Sequence, residues 1–274
     1  PNADYNLDIN NVNHTLMINK MHDSLKPILL KEKIKGIIVY GDTNSTLAGS
    51  LAASDMGIPI FHVEAGLRSF DRAMLEEKNR IITDHLSDLL FCPTPNSVKN
   101  LSNENISKGV FYTGDVMYDA FLDFSKRNLK SEMNNTKKYI LATIHRRENI
   151  KSHKNLSNIF SSLDEINKKI KVVMPIHPHT RKKIEEKKIK SKISFIKPLG
   201  YFQMMSLLQK SEAVITDSGG LQKESFFAKK KCIIVRKNTE WLELLENGSS
   251  IISEPKHILE SFNKILVSKP KFSS

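Results

Sequence analysis

The sequence has little cysteine, few aromatic residues and no long hydrophobic run. Two cysteines among 274 residues, Cys92 and Cys232, exclude a disulfide framework, and both lie in apolar runs typical of buried strands. No apolar run approaches the ~20 residues that a membrane-spanning helix needs, and no signal peptide is recognisable. We therefore expect a cytoplasmic protein with reduced thiols and no membrane partner.

Arginine is also scarce, although the chain is strongly basic. Lys and Arg total 42, of which only 8 are Arg, against 30 Asp and Glu, and the formal net charge is +12. The lysines are spread along helical patterns such as residues 181–192, and no nucleic-acid-binding motif accompanies them. The charge therefore indicates solvated helix faces, and we do not expect a nucleic-acid partner.

Short apolar strands alternate with longer helical patterns along the chain. This alternation predicts parallel sheets with helices on both faces, an α/β fold. The polar stretch 125–137 is interpreted as a linker between two Rossmann-like halves, 1–124 and 138–274, that face each other across a cleft. The nine predicted strands are 36–40, 58–63, 88–92, 109–112, 139–144, 171–176, 193–196, 213–216 and 232–235.

Polar residues follow most of these strands. Ligands of open parallel sheets bind beyond the carboxyl ends of the strands, so the residues there are candidates for one shared site. For any single residue the alternative is structural, since an Asp after a strand is more often a helix cap than a catalyst. The residues at these ends are Asp42, Glu64, His145, His177, Lys197, Asp217 and Ser218.

The segment AVITDSGGLQKES, residues 213–225, joins a strand to a helix through Ser-Gly-Gly. The first N–H groups of a helix lack partners and carry partial positive charge, and glycine lets a phosphate approach them. Gly219 and Gly220 therefore suit a diphosphate, with Ser218 as helix cap or hydroxyl donor. Glu224 is placed to reach sugar hydroxyls, which suits a nucleoside diphosphate with its ribose. A tight turn with a helix cap is the alternative.

The two halves carry different charges at their strand ends. HRREN, residues 145–149, is a cationic cluster that favours an anion, with a solvated turn as the alternative. The first half instead supplies Asp42, Glu64 and the pair Glu76–Glu77. Phosphate-binding groups in one half and carboxylates in the other indicate acid–base chemistry on a sugar joined to a diphosphate.

No metal or other cofactor is predicted. His177 and His179 in HPHT are the best candidate ligands, but no third ligand lies at a suitable spacing.

Seven motifs, in their order and spacing, resemble the non-hydrolysing UDP-N-acetylglucosamine 2-epimerase family, over nearly the whole chain. The resemblance implies a GT-B-like architecture, with two Rossmann-type domains around a cleft that binds a UDP-sugar. It also implies epimerisation at C2 of a UDP-N-acetylhexosamine by elimination and readdition of UDP. The motifs are GDTNSTLAGSLAA, HVEAGLRS, EEKNRIITDHLSDLLFCPT, TGDVMYDA, HRREN, PIHPHTRKKI and TDSGGLQKE.

Carried over residue by residue, the resemblance implies two sets of site residues. The catalytic set is Asp42, Glu64, Glu76 and His145. The substrate-binding set is Arg80, Ser218, Gly219, Gly220 and Glu224, with Glu224 on the ribose. The cationic cluster adds Arg146 to this set. We also expect a homodimer.

The sequence departs from the family pattern in four places. The family's GTRPE loop has no counterpart, so we expect that at least one βαβ unit, about 30 residues or more, is missing from the first domain, and that the last helix is missing as well. Leu75 replaces the proline of PEE, and Trp241 stands where an Arg often does. These departures leave open whether the sugar is that of UDP-GlcNAc or of a diacetamido-uronic acid relative.

Three other functions stay open on the sequence. A hydrolysing 2-epimerase would release free N-acetylmannosamine and UDP. A glycosyltransferase of the same fold would need an acceptor and would leave the carboxylates unexplained. A catalytically impaired fragment would bind the nucleotide sugar without converting it.

Overall fold

The computed structural model describes residues 3–10, 13–126 and 138–272. The chain divides into two units, Pro1–Val116 and Met117–Ser274, and each unit has its own parallel sheet. The predicted α/β class is thereby confirmed. The predicted linker lies outside the described residues from 127 onward, while Ser125 and Lys126 end a helix of the second unit. The predicted domain limits, 1–124 and 138–274, stay a prediction.

In its described residues the first unit has four parallel strands that pair in sequence order, β1-β2-β3-β4. These strands are β1 Ile37–Tyr40, β2 Ile60–Val63, β3 Leu89–Cys92 and β4 Val110–Tyr112. Its helices are α1 His14–Lys31, α2 Asn44–Asp55, α3 Leu75–Leu86 and α4 Pro95–Asn103.

Helix α2 determines where the first strand end lies. It is rich in small residues, and Ala48, Ala52 and Ala53 are fully buried. Small side chains let α2 contact α1, α3 and β1 closely on several sides. Thr43 caps the helix by accepting a hydrogen bond from Thr46 N. The turn that carries Asp42 is therefore held between β1 and a tightly packed helix.

Over residues 117–126 and 138–272 the second unit has six parallel strands in the order β10-β9-β8-β5-β6-β7. The strands are β5 Tyr139–Thr143, β6 Lys171–Pro175, β7 Ser194–Ile196, β8 Ala213–Thr216, β9 Lys231–Ile234 and β10 Ser250–Ile252. Its helices are α5 Val116–Lys126, α6 Arg147–Lys151, α7 His153–Asn167, α8 Pro178–Glu186, α9 Tyr201–Lys210, α10 Gly219–Phe227, α11 Glu243–Glu246 and α12 Ile258–Val267.

Strand order in the second unit reverses between β5 and β8. The chain proceeds from β5 outward to β7 on one side and from β8 outward to β10 on the other. A crevice opens at such a switch point beyond the carboxyl ends of the two strands, and ligands of doubly wound sheets bind there. His145 follows β5 and Ser218 follows β8, so the fold brings these two strand ends side by side.

Both cysteines are buried in the sheets, as predicted. Burial raises the pKa of the Cys92 thiol to about 11 and that of Cys232 to about 12. Thiols with such pKa values carry little thiolate near neutral pH and are unreactive. No helix in the described part of the chain is long and apolar enough to cross a membrane.

Candidate functional site

A cavity of about 320 Å³ lies at the switch point of the second unit. One part of its lining is apolar, and another part carries the predicted site residues His145, Ser218 and Glu224. This mixture of apolar walls and a few polar groups is typical of small-molecule sites. The other lining residues are Thr143, Ile144, Pro175, His177, Pro198, Leu199, Met204 and Leu221.

Asp217 fixes the turn after β5 against the end of β8. Its carboxylate is fully buried and accepts hydrogen bonds from His145 N at 3.0 Å, Arg146 N at 3.0 Å and Asn149 Nδ2 at 2.9 Å. His145 Nδ1 also lies 3.4 Å from Asp217 Oδ1, while about half of the His145 side chain is exposed. The buried charge thus orients an imidazole that faces the cavity. Sequence reasoning placed Asp217 at a strand end without assigning it this role.

Helix α10 begins at the cavity with the predicted Ser-Gly-Gly turn. Ser218 is its N-cap, and Ser218 Oγ accepts a hydrogen bond from Leu221 N at 3.5 Å. Gly219 and Gly220 supply the first helical N–H groups, which lack intrahelical partners. Packing also restricts Gly219, because a Cβ there would lie 2.7 Å from Glu240 Oε1. The two glycines therefore suit phosphate binding, and close packing against Glu240 is a second reason for glycine at position 219.

Glu224 is a buried carboxyl group on α10. Its exposed fraction is 9%, and burial raises its pKa to about 7. Burial is the only cause, because no hydrogen bond or ion pair joins this carboxyl group to another described residue. An unpaired buried acid destabilises the fold, and such residues concentrate at functional sites. Glu224 is therefore better explained by a ligand than by stability.

Replacing Glu224 with Gln should make the protein more stable at alkaline pH. The native pKa lies above the unfolded value, so the native state binds more protons and stability falls as pH rises from about 4.5 through 7. Glu224→Gln removes this loss. Denaturant titrations should show its gain over wild type growing by about 2–3 kcal/mol between pH 5 and pH 8. A gain independent of pH would mean that Glu224 is not perturbed by burial.

The carboxylates of the first unit form a separate cluster. Asp42, after β1, pairs with Arg80 of α3, and Arg80 Nη1 also lies 3.1 Å from Glu77 Oε2. Glu77 accepts hydrogen bonds from Ser69 N and Ser69 Oγ, both at 2.9 Å. Arg80 thus joins the turn after β1 to the loop after β2. Glu77, named in the sequence only as part of a pair, holds that loop.

Glu64 and Glu76 occupy different surroundings. Glu64 directly follows β2 and has a φ of +73°, a left-handed conformation that is strained for a residue other than glycine. Strain of this kind costs about 1–3 kcal/mol and persists where the surrounding structure holds it. Glu76 lies in the first turn of α3 and is exposed. Glu64 thus has a strained backbone, whereas Glu76 is accessible to solvent.

The structure brings the predicted residues together in two groups, one in each unit. Asp42 and Arg80 are in contact in the first unit, and His145, Ser218 and Glu224 line one cavity in the second. Arg146 binds Asp217 through its backbone N–H, and Gly219 and Gly220 open α10 beside Ser218. Within the described residues, no group of three His, Cys, Asp or Glu side chains is placed to hold a metal.

Comparison with known proteins decides the family. The family model described as UDP-N-acetylglucosamine 2-epimerase matches residues 1–274. The chain belongs to this family. The predicted resemblance is confirmed, and the protein is an epimerase by family.

Individual relatives of this epimerase agree with the family model. A UDP-N-acetylglucosamine 2-epimerase homolog of Methanococcus maripaludis is 46% identical over an alignment of 279 residues, and the match covers 96% of this chain and 78% of the relative. A UDP-2,3-diacetamido-2,3-dideoxy-D-glucuronate 2-epimerase of Pseudomonas aeruginosa is 46% identical over an alignment of 257 residues, and the match covers 92% of this chain and 73% of the relative.

A solved structure extends the agreement to the fold. The crystal structure of Methanocaldococcus jannaschii UDP-GlcNAc 2-epimerase, in complex with UDP-GlcNAc and UDP, has a TM-score of 0.92 and 38% identity. The match covers 98% of this chain and 79% of that one. The predicted class, GT-B-like with two Rossmann-type parallel-sheet domains, is confirmed.

Proposed function

We propose that this epimerase inverts C2 of a UDP-N-acetylhexosamine, converting UDP-GlcNAc to UDP-ManNAc or acting on a diacetamido-uronic acid relative. The observation that carries the proposal is the cavity at the switch point of the second unit. There a capped helix start, an imidazole and a buried unpaired carboxyl group suit a diphosphate and a ribose. The relatives support the same chemistry, because one is named for UDP-GlcNAc and another for a diacetamido-glucuronate.

The reaction divides between two sets of residues. The C2–H bond breaks and its proton passes to a carboxylate of the first unit, for which Asp42, Glu64 and Glu76 are the candidates. The C1–O bond breaks with its electron pair leaving on UDP, and a C1–C2 double bond forms in a 2-acetamidoglucal. Return of the proton to the other face of C2 and readdition of UDP at C1 give the epimer.

The role of the second unit follows from the charge that develops on UDP. The C2 proton has no neighbouring carbonyl, so its acidity depends on oxocarbenium-like charge as the diphosphate leaves. Helix N–H groups at Gly219 and Gly220, together with His145 and Arg146, would stabilise the departing diphosphate. Arg80 would bind substrate from the first unit while it holds Asp42.

A product assay tests the proposal against the hydrolysing alternative. Proton NMR of a reaction that starts from UDP-GlcNAc distinguishes UDP-ManNAc from free N-acetylmannosamine plus UDP. We expect the UDP-linked epimer. Free sugar and UDP in equal amounts would favour the hydrolysing reaction, and binding without turnover would favour the impaired fragment. The same assay with the diacetamido-glucuronate substrate shows which of the two UDP-sugars the protein converts.

Removing the Glu224 carboxyl group should weaken UDP binding. Hydrogen bonds to charged groups are worth roughly 1.5–3 kcal/mol each, so Glu224→Ala should raise the Kd of UDP at least about 10-fold in calorimetry at pH 8. Glu165→Ala, on the exposed end of α7, is the matched control and should leave the Kd unchanged. An unchanged Kd in Glu224→Ala would make Glu224 a structural helix residue.

We also propose that the protein is a cytoplasmic homodimer. Light scattering on a size-exclusion column measures the mass directly, and the mass of one chain would contradict the dimer. Cell fractionation tests the location.

A further inference from the structure

Buried charged side chains connect the two loops that carry Asp42 and Glu64. The side chains of His62, Arg68 and Asp84 are at most 1% exposed, and Glu104 is part-buried. Burying charged groups is costly unless they pair, and an apolar cluster of the same volume often serves stability as well or better. The network therefore requires an explanation other than stability alone.

Asp84 of α3 is the centre of this network, because both of its carboxylate oxygens are engaged. Asp84 Oδ1 lies 2.7 Å from His62 Nδ1, and Asp84 Oδ2 accepts from Arg68 Nη1 at 2.7 Å. Gly66 N donates to the same Oδ2 at 3.1 Å. Since Gly66 follows Glu64 by two residues, Asp84 holds the loop that begins at Glu64.

His62 extends the network to the other loop. Its Nε2 lies 2.8 Å from the carbonyl oxygen of Gly41, the residue before Asp42. Both ring nitrogens therefore face acceptors, since Asp84 already accepts from Arg68 and Gly66. His62 therefore bridges Asp84 and the turn that carries Asp42.

Arg68 anchors the loop after β2 from the other side. Its Nε and Nη2 donate to Glu104 at 2.6 and 2.7 Å, and its Nη1 donates to the Leu67 carbonyl oxygen at 2.6 Å. Burial opposes the charged form, but the hydrogen bonds and charges of Glu104 and Asp84 outweigh it and raise the pKa of Arg68. Arg68 therefore remains a cation that neutralises Asp84 and fixes the backbone.

We propose that Asp84 is a positioning residue for the C2 epimerisation. Through His62 it fixes the Gly41–Asp42 turn, and through Gly66 and Arg68 it fixes the loop that begins at the strained Glu64. One buried carboxylate thus keeps two candidate catalytic carboxylates at a constant separation. The catalytic part of this proposal rests on the proposed function, whereas the positioning part does not.

Amide hydrogen exchange measured by mass spectrometry tests the positioning part without any turnover. Asp84→Asn should speed exchange in both loops, 41–43 and 64–69, by about 10-fold or more, because both lose a buried anchor and keep only the link through Arg80 and Glu77. His62→Gln should speed exchange only in 41–43, since Gly66 and Arg68 keep their contacts with Asp84. Asp88→Asn is the matched control. It also removes a carboxylate that holds the backbone, since Asp88 Oδ2 accepts from Ile60 N at 2.8 Å, but this contact lies at the other end of β2.

Turnover and UDP binding test the catalytic part. Misplacement of a catalytic group by about 1 Å costs roughly 10²-fold, so kcat of Asp84→Asn should fall by about that factor while KM and the Kd of UDP stay unchanged. Asp88→Asn should keep the kcat of wild type even if it loses as much thermal stability. A purely structural role predicts instead that kcat follows stability in both variants.

The outcomes distinguish failure of the positioning role from failure of the proposed function. Wild-type exchange rates in both loops of folded Asp84→Asn would overturn the proposal. If Asp84→Asn does not fold, unchanged exchange at 41–43 in His62→Gln overturns it just as well, and faster exchange confined to 41–43 supports it. Absence of epimerisation by wild type would refute the proposed function, while the exchange pattern would still decide whether Asp84 holds both loops.

Discussion

Asp42→Asn should lower turnover by ~10²–10⁴-fold and leave UDP binding intact. General acid–base catalysis contributes a factor of this size, and an amide cannot accept the C2 proton. UDP binding should not change, because the proposed diphosphate and ribose groups all belong to the second unit and a carboxylate would repel phosphate. Arg80 keeps Glu77 as a partner in the variant, so the fold should survive. Steady-state kinetics and calorimetry with UDP measure the two effects separately.

The control for Asp42 is another carboxylate with a similar partner. Asp55→Asn removes the acid of the exposed pair between Lys26 of α1 and Asp55 of α2, the helix that follows Asp42, and should leave both kcat and UDP binding at wild-type values. If Asp42→Asn weakens UDP binding as strongly as it lowers kcat, Asp42 contributes to ground-state binding and is not an acid–base catalyst.

Asp217→Asn should destabilise the second unit and impair the site within it. An asparagine keeps one acceptor oxygen but turns an NH₂ group toward the donors Arg146 N and Asn149 Nδ2. Leaving such buried donors unpaired and removing the charge should cost about 2–4 kcal/mol of unfolding free energy. Turnover should fall at least about 10-fold, because His145 loses the carboxylate that orients it.

Asp164→Asn is the matched control for this loss. Asp164 accepts hydrogen bonds from Ser191 Oγ at 2.9 Å and Lys192 N at 2.7 Å, but it is part-exposed and lies away from the cavity. Denaturant titration should show a loss of about 1 kcal/mol or less, with normal turnover. Equal losses in the two variants would show that Asp217 is an ordinary turn residue.

Most strands could be predicted from the sequence because they are short apolar runs bounded by polar turns. β10, Ser250–Ile252, has no predicted counterpart because its two apolar residues stand alone between serines. Helix α12 does carry a signal, with buried Ile258, Phe262 and Ile265 at helical spacing, and it was overlooked. Buried Phe121 and Phe124 of α5 pack in the core of the second unit.

The site could be predicted only as far as local patterns reach. The rule that ligands bind at the carboxyl ends of strands identified His145 and Ser218 before their strands were known to be neighbours. The role of Asp217 depends on the pairing of β5 with β8, which lie about 70 residues apart in sequence and which no local pattern reveals. The left-handed backbone of Glu64 also had no signal, because only glycine marks such positions in a sequence.

The network around Asp84 is also invisible to local sequence patterns. Arg68 precedes Asp84 by 16 residues and His62 precedes it by 22. The residue types alone predict charged side chains on the protein surface. Only the packing of α3 against β2 brings them together and excludes water. Residues that act through another residue are therefore harder to predict than those that stand at a strand end.

The most direct test of the central claim is the incorporation of solvent deuterium at C2. The protein is incubated with UDP-GlcNAc in D₂O, and the epimerised product is examined by proton NMR and mass spectrometry. Removal of the C2 proton and its replacement from solvent predict one deuterium at C2 of the UDP-ManNAc that forms. Epimerised product that keeps its original hydrogen at C2 would contradict proton abstraction with solvent exchange, and Asp42, Glu64 and Glu76 would lose the roles proposed for them.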